Sequence, residues 1–188
     1  MRKKMHTLRK VRKNEMKATL PYYENYARQA MITAFLSLLE RFPFEDITIM
    51  EICEEAGISR RTFYLYYGSR YDILDDYYSV LTREYEDRMP VGSENDLLGQ
   101  ISWFFTFWHE HREYLQLLYR RGLFPVLLSR FSNYLSGASL IRNDAYFPSY
   151  MAGGLWAVLF QWTSGGFREP VSQISEYVAG YQPGVNRR

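Results

Sequence analysis

Apolar positions recur at helical intervals along most of the chain, and no stretch alternates with period two. From Glu24 to Arg41 the positions Ala27, Met31, Ala34 and Leu38 form a stripe that Ile32, Phe35 and Leu39 widen. This spacing predicts an amphipathic helix. Phe42-Pro43-Phe44 ends it, because proline removes a backbone donor and clashes with the preceding turn. Between Thr48 and Arg70 the pattern predicts two short helices split at Gly57. Thr48 with Glu51 has capping-box spacing, and Ile49, Ile52, Cys53 and Ala56 fall on one face. Gly57 stands where a helix must end in a left-handed residue. Ser59 is placed to cap the next helix, which begins Arg60-Arg61-Thr62.

Helix, glycine turn and capped helix with a cationic start is the layout of a helix-turn-helix reader of DNA. After Gly68, Ser69 and Asp72 repeat the capping-box spacing. Ile73, Leu74, Tyr77, Tyr78, Leu81 and Tyr85 then predict a longer helix to about Arg88. Met89-Pro90-Val91-Gly92-Ser93 reads as a linker. Beyond it the helical spacing returns over Asp96–Glu110, Glu113–Arg120, Phe124–Leu135 and Pro148–Thr163, with a polar connection over Gly137–Ala145. Pro170 opens a last amphipathic helix carrying Val171, Ile174, Tyr177 and Val178. The apolar run Tyr150–Phe160 is shorter than the about 20 residues a bilayer span needs. Its Ala152, Gly153, Gly154 and Ala157 instead suit close approach by another helix. The expected fold is all-α.

Charge changes the picture at one end. Residues 1–20 carry a net charge of +7 and the remainder −5, within a total of +2. Such an arm suits a polyanion, since each neutralised phosphate releases counterions, although it also fits a solvated, flexible tail. A single cysteine permits no intrachain disulfide, and no apolar core follows the basic start, so a cytoplasmic protein without a signal peptide is expected. Cys53 reads as a small buried hydrophobe.

The run from Tyr26 to Leu74 resembles the DNA-binding domain of TetR-family transcriptional regulators. The likeness lies in the first helix ending FPFEDITI, in ICEEAGIS, and in RTFYLYYGSRYDIL. Tyr66 and Tyr67 stand where that family has His-Phe, Gly68 replaces a commoner Pro, Asn or Lys, and Arg70 replaces Lys. The segment Tyr150–Ala157 with Trp162 resembles the C-terminal domain of one branch of the family. Residues 1–20 read as a flexible basic arm, more than that family requires, and the resemblance implies a TetR-type domain over 21–88, with its helix-turn-helix at about 48–67 and a linking helix from 69. Residues 89–188 would form a helical bundle for ligand binding and dimerisation. It further implies a homodimer formed by the last two helices, a repressor's role and a near-palindromic operator.

Within that frame Arg60 and Arg61 are the expected base readers, because Arg can make two parallel bonds to guanine. Thr62, Leu65 and Tyr66 lie within about a turn of them. Leu65 has little structural reason to face out of a three-helix unit. Tyr64 can donate to a phosphate, and Ser59 belongs to the same N-terminal turn. Thr48 and Arg70 sit at helix starts that favour a phosphate oxygen. Phe63 and Tyr67 are expected in the core. Aromatics make up 18% of the chain, enough either to fill a core after residue 93 or to line a pocket for a small apolar or aromatic effector. Trp103, Phe104, Phe107, Trp108, Tyr119, Phe131, Trp156 and Phe160 are the candidates.

Neither a phosphate loop, a nucleophile elbow, a CxxC pair nor HExxH occurs, so an enzyme is not expected. His109 and His111, two apart, face different sides of a helix, which disfavours a metal site, and they read as a solvated helix end. No cofactor is expected. The partners expected are double-stranded DNA, a second copy of the chain and the effector, with no membrane. An alternative is a DNA-tethered co-regulator whose C-terminal helices bind a protein partner. A helical enzyme with a vestigial reader is a further one.

Overall fold

The computed structural model describes residues 26–91, 96–137 and 146–181. The expected basic arm, its boundary at Pro21, Gly92-Ser93 of the linker and most of the polar connection before Tyr146 lie outside these residues. Every regular element among the described residues is helical. Helix α1 occupies 26–41 and buries Ala27, Met31, Ala34, Phe35, Leu38 and Leu39, the stripe the spacing predicts. Pro43 is followed by a 3₁₀ turn, Phe44–Asp46, whose Phe44 ring meets Phe35 edge-on at 6.1 Å. Then come α2 (Ile49–Ala56), α3 (Arg60–Tyr66) and α4 (Arg70–Asp87).

The chain divides into a compact unit that ends at Leu74 and another that starts at Asp75. The division falls inside α4, ahead of the Met89–Ser93 punctuation that predicts a boundary near 88. Composition marks where a chain turns, whereas a compact unit is marked by which side chains share a core. A continuous helix can supply both, and here Ile73 and Leu74 are buried before the division, Tyr78 and Leu81 after it.

The second unit contains α5 (Leu97–Glu110), α6 (Arg112–Arg120), α7 (Phe124–Gly137), α8 (Phe147–Ser164) and α9 (Val171–Gly180). Asp96 caps α5, accepting from the N–H groups of Leu98 and Gly99. Helix α5 packs on α9, while α6 and α7 pack on α8. Phe105 and Phe107 are fully buried, and each such side chain contributes about 1.5–3 kcal/mol. Phe105 meets Trp162 at 5.8 Å, and the Trp162 indole N–H donates to the Glu169 carbonyl at 3.0 Å.

The two histidines differ from expectation. His109 is half-buried and stacks on Trp162 with ring centroids 5.4 Å apart. His111 lies 4.5 Å from the Phe107 ring, with Nε2 3.6 Å from Glu84 Oε1. An imidazole has an apolar body, and at this end of α5 aromatic neighbours cover it. No helix among the described residues is long and apolar enough to cross a membrane.

Candidate functional site

Local chemistry shapes the helix-turn-helix. Thr48 is extended, at φ −96° and ψ 155°, and its hydroxyl accepts from the Glu51 N–H at 3.2 Å. Glu51 Oε2 in turn accepts from the Thr48 N–H at 2.8 Å and from its hydroxyl at 2.7 Å. Both bonds favour the ionised carboxylate, so the Thr48 hydroxyl and then its backbone N–H hold Glu51 below the ordinary carboxylate range. Gly57 closes α2 at φ 65° and ψ 31°, donating to the carbonyls of Cys53 and Glu54. Ser59 caps α3, its hydroxyl accepting from the Thr62 N–H at 3.1 Å and meeting Thr62 Oγ1 at 2.9 Å.

The register so set sorts α3 into two faces. Phe63 and Tyr67 are buried, their rings 5.7 Å apart. Arg60, Arg61, Tyr64 and Leu65 are exposed, Leu65 by 71%, and Thr62 and Tyr66 are half-buried. No ion pair holds Arg60 or Arg61 among the described residues. Burial pushes the Cys53 thiol up, against a smaller opposing pull from Arg60, which leaves it an unreactive core group.

Arg70 is engaged internally. Its Nη1 donates to the carbonyl of Glu45 at 3.1 Å and to that of Ile47, and its guanidinium lies 4.7 Å from the Phe44 ring centroid. It therefore ties the 3₁₀ turn to the start of α4, and a phosphate contact would fall to its remaining N–H groups. Asp72 accepts from the N–H groups of Gly68 and Ser69 at 2.7 and 3.2 Å and from the Ser69 hydroxyl at 2.7 Å.

The eight aromatics expected to line a pocket fall into separate groups. Phe104, Phe107, Trp108 and Phe131 line one small cavity together with residues of α4. Trp103 stands beside it, against Tyr85 and Phe107, with its N–H donating to the Tyr85 carbonyl at 3.2 Å. Tyr119, Trp156 and Phe160 belong to another cluster gathered around Phe124, where Tyr119 and Phe160 remain 39% and 43% exposed.

Sequence reasoning misses three further groups of the second unit. Asp75 of α4 pairs with Arg130 of α7, and Tyr114 of α6 lies buried with its ring 4.8 Å from Tyr77. Nothing local signals an ion pair between positions 55 residues apart. Helical spacing marks Tyr114 only as part of an apolar stripe.

Residues 32–77 match the family described as bacterial regulatory proteins, tetR family. The span runs from within α1 into α4 and so contains the whole helix-turn-helix. The chain is also similar to a Bacillus subtilis (strain 168) protein called "Uncharacterized HTH-type transcriptional regulator YxbF", 31% identical over 165 residues that cover 77% of this chain. It spans 42% of the length of that relative. Residues 32–77 thus carry a helix-turn-helix like that of the tetR family of bacterial regulatory proteins.

Proposed function

We propose that this protein is a DNA-binding transcriptional regulator that acts as a homodimer on a near-palindromic operator, as a repressor relieved by a small effector. Two copies of α3 would enter successive major grooves, about 10–10.5 bp or a multiple of it apart. Arg60 and Arg61 would read base edges, Leu65 would meet a thymine methyl, and Thr48, Ser59, Thr62, Tyr64, Tyr66 and Arg70 would set position on the backbone. The observation that carries this reading is the solvent face of α3. Two arginines that no ion pair holds among the described residues stand beside an exposed leucine on a short helix whose other face is buried.

The second copy would cover an exposed face of α8 and α9. Gly153, Gly154, Ala157 and Phe160 of α8, with Tyr177 of α9 and Tyr181 just past its end, face solvent in one copy. A Cβ added at Gly153 or Gly154 meets nothing within 4 Å, so packing inside one chain does not require glycine there. An effector bound in the second unit would act by favouring a spacing of the two readers that no longer fits the operator. It can shift that balance only by its difference in affinity for the two states.

Selection of bound fragments from the source genome tests the reading, and the expected product is a site with two-fold symmetry. Arg60→Ala with Arg61→Ala should weaken binding to the selected site at least about tenfold, at 1–3 kcal/mol per bidentate pair. Binding to unrelated DNA should change far less. Equal affinity of the double variant and the parent for the selected site would show that α3 is not the reader.

A further inference from the structure

The 3₁₀ turn that leads into α2 is held from outside itself. Two of its carbonyls serve its own N–H groups: Asp46 donates to Pro43 at 3.1 Å and Ile47 to Phe44 at 3.3 Å. The carbonyls of Glu45 and Ile47 go instead to one side chain, Arg70, whose Nη1 donates to both. Ile47 is buried, where a carbonyl left unpaired costs free energy. The guanidinium also lies 4.7 Å from the Phe44 ring centroid, and that ring meets Phe35 of α1 at 6.1 Å and Tyr71 of α4 at 4.6 Å. Guanidinium and ring together fasten the turn to both helices.

The consequence reaches the cap of α2. The Ile47 carbonyl and the Thr48 N–H belong to one planar peptide unit and point opposite ways. Holding the carbonyl fixes the direction of that N–H, which donates to Glu51 Oε2 at 2.8 Å. Arg70 thus bears on the capping box without belonging to it. The entry to α4 is already occupied by an acid: Asp72 accepts from the N–H groups of Gly68 and Ser69. Those are groups that a phosphate at this corner would use, and a carboxylate holds them.

Resting on the reader assignment above, we propose that Arg70 is a positioning residue for operator binding, acting through the Glu45 and Ile47 carbonyls on Thr48 and the start of α2 rather than through its own charge on a phosphate. In a helix-turn-helix the first helix crosses the DNA backbone while the second reads bases. A slack turn before α2 therefore weakens binding to the operator. It does little to binding of unrelated DNA, which is mostly sequence-independent charge. Lysine does not replace arginine in this part, because an ammonium on a flexible stem keeps the charge but loses the planar stacking on Phe44 and the fixed donor geometry.

Arg70→Lys separates the two roles on the full chain, with DNA affinities read by fluorescence anisotropy. Operator affinity should fall about tenfold, the scale of a lost hydrogen bond to a charged group. Affinity for unrelated DNA and the slope of log K against log salt should stay those of the parent. Arg70→Gln should behave alike, and amide exchange at Thr48 and Glu51 should quicken in both variants. Parental operator affinity in Arg70→Lys, with Arg70→Gln weakened on both DNAs and its slope lowered by about 0.9, would make Arg70 a phosphate contact and overturn the proposal. Equal losses on both DNAs overturn it too. So does a lower Tm with operator affinity kept where the variants are folded, which would leave Arg70 a purely structural tie. The reader assignment is judged separately by Arg60→Ala with Arg61→Ala. If that double variant loses the operator and Arg70→Lys does not, the reader stands and only the role of Arg70 falls. If the double variant keeps parental affinity, the reader assignment falls and the role of Arg70 with it.

Discussion

At Thr48 and Glu51 two side chains satisfy each other's backbone hydrogen bonds, and the pair makes the first turn of α2 sensitive to acid. The Glu51 carboxyl is held below its ordinary 4.5 in the folded chain. Its contribution is therefore present above the unfolded value and is lost as pH falls through the folded one. Glu51→Gln should lower the Tm near neutral pH, and the gap from the parent should close as pH drops below 4.5. Far-UV circular dichroism melts across that range measure it, and a gap independent of pH would show that the carboxylate charge is irrelevant to the cap. Gly57 is a second residue whose role is settled by backbone geometry, at φ 65°. A Cβ added there meets nothing, so Gly57→Ala should destabilise by about 1–2 kcal/mol through backbone strain alone, measured as a lower denaturation midpoint in urea.

Individual helices show where periodicity suffices and where it stops. In α3 the caps and the pair Phe63 and Tyr67 determine which face is buried, and the exposed face follows by subtraction. Helix α8 is different, because its sequence is apolar nearly all round and cannot say which face the chain itself covers. Packing resolves it: Met151, Leu155, Trp156, Leu159 and Trp162 are buried, while Gly153, Gly154 and Ala157 are exposed. In α9 Tyr177 is exposed and accepts from Gln173 Nε2 at 2.7 Å, although its spacing places it on the apolar stripe. These faces lead to a test of the proposed dimer. Ala157→Glu adds a charge at a position open to solvent in one copy, so the fold should tolerate it. Sedimentation should then show monomer where the parent is dimeric, with loss of operator binding. A dimer of unchanged stability would remove α8 from the interface.

For the whole molecule, charge is distributed against expectation for a DNA reader. The helix-turn-helix region from Glu45 to Arg70 holds more acids than arginines, and beyond residue 20 the net charge is −5. The cationic field lies in residues 1–20. Deleting them should weaken binding to all DNA sequences alike and lower the slope of log K against log salt by about 0.9 for each phosphate the arm neutralises. Retention of the parent slope would mean that the arm neutralises no phosphate. Loss of sequence preference without loss of affinity would make it a minor-groove reader instead.

The sequence by itself determined the all-α class, the caps at Thr48 and Ser59, the turn at Gly57, the outward face of α3 and the family resemblance. All of these depend on residues within about a turn of one another, where backbone hydrogen bonding and steric limits act directly. Only the tertiary structure decided that the two units divide inside α4, that His109 and His111 pack against aromatic rings, and that Arg70 turns inward to the carbonyls of Glu45 and Ile47. It alone separated Phe104, Phe107, Trp108 and Phe131 from Tyr119, Trp156 and Phe160, and brought Asp75 to Arg130. Those outcomes depend on which helices pack together across long stretches of chain. Apolar stripes of similar composition are compatible with many such packings, and shape and buried polar groups select among them only once the chain has folded.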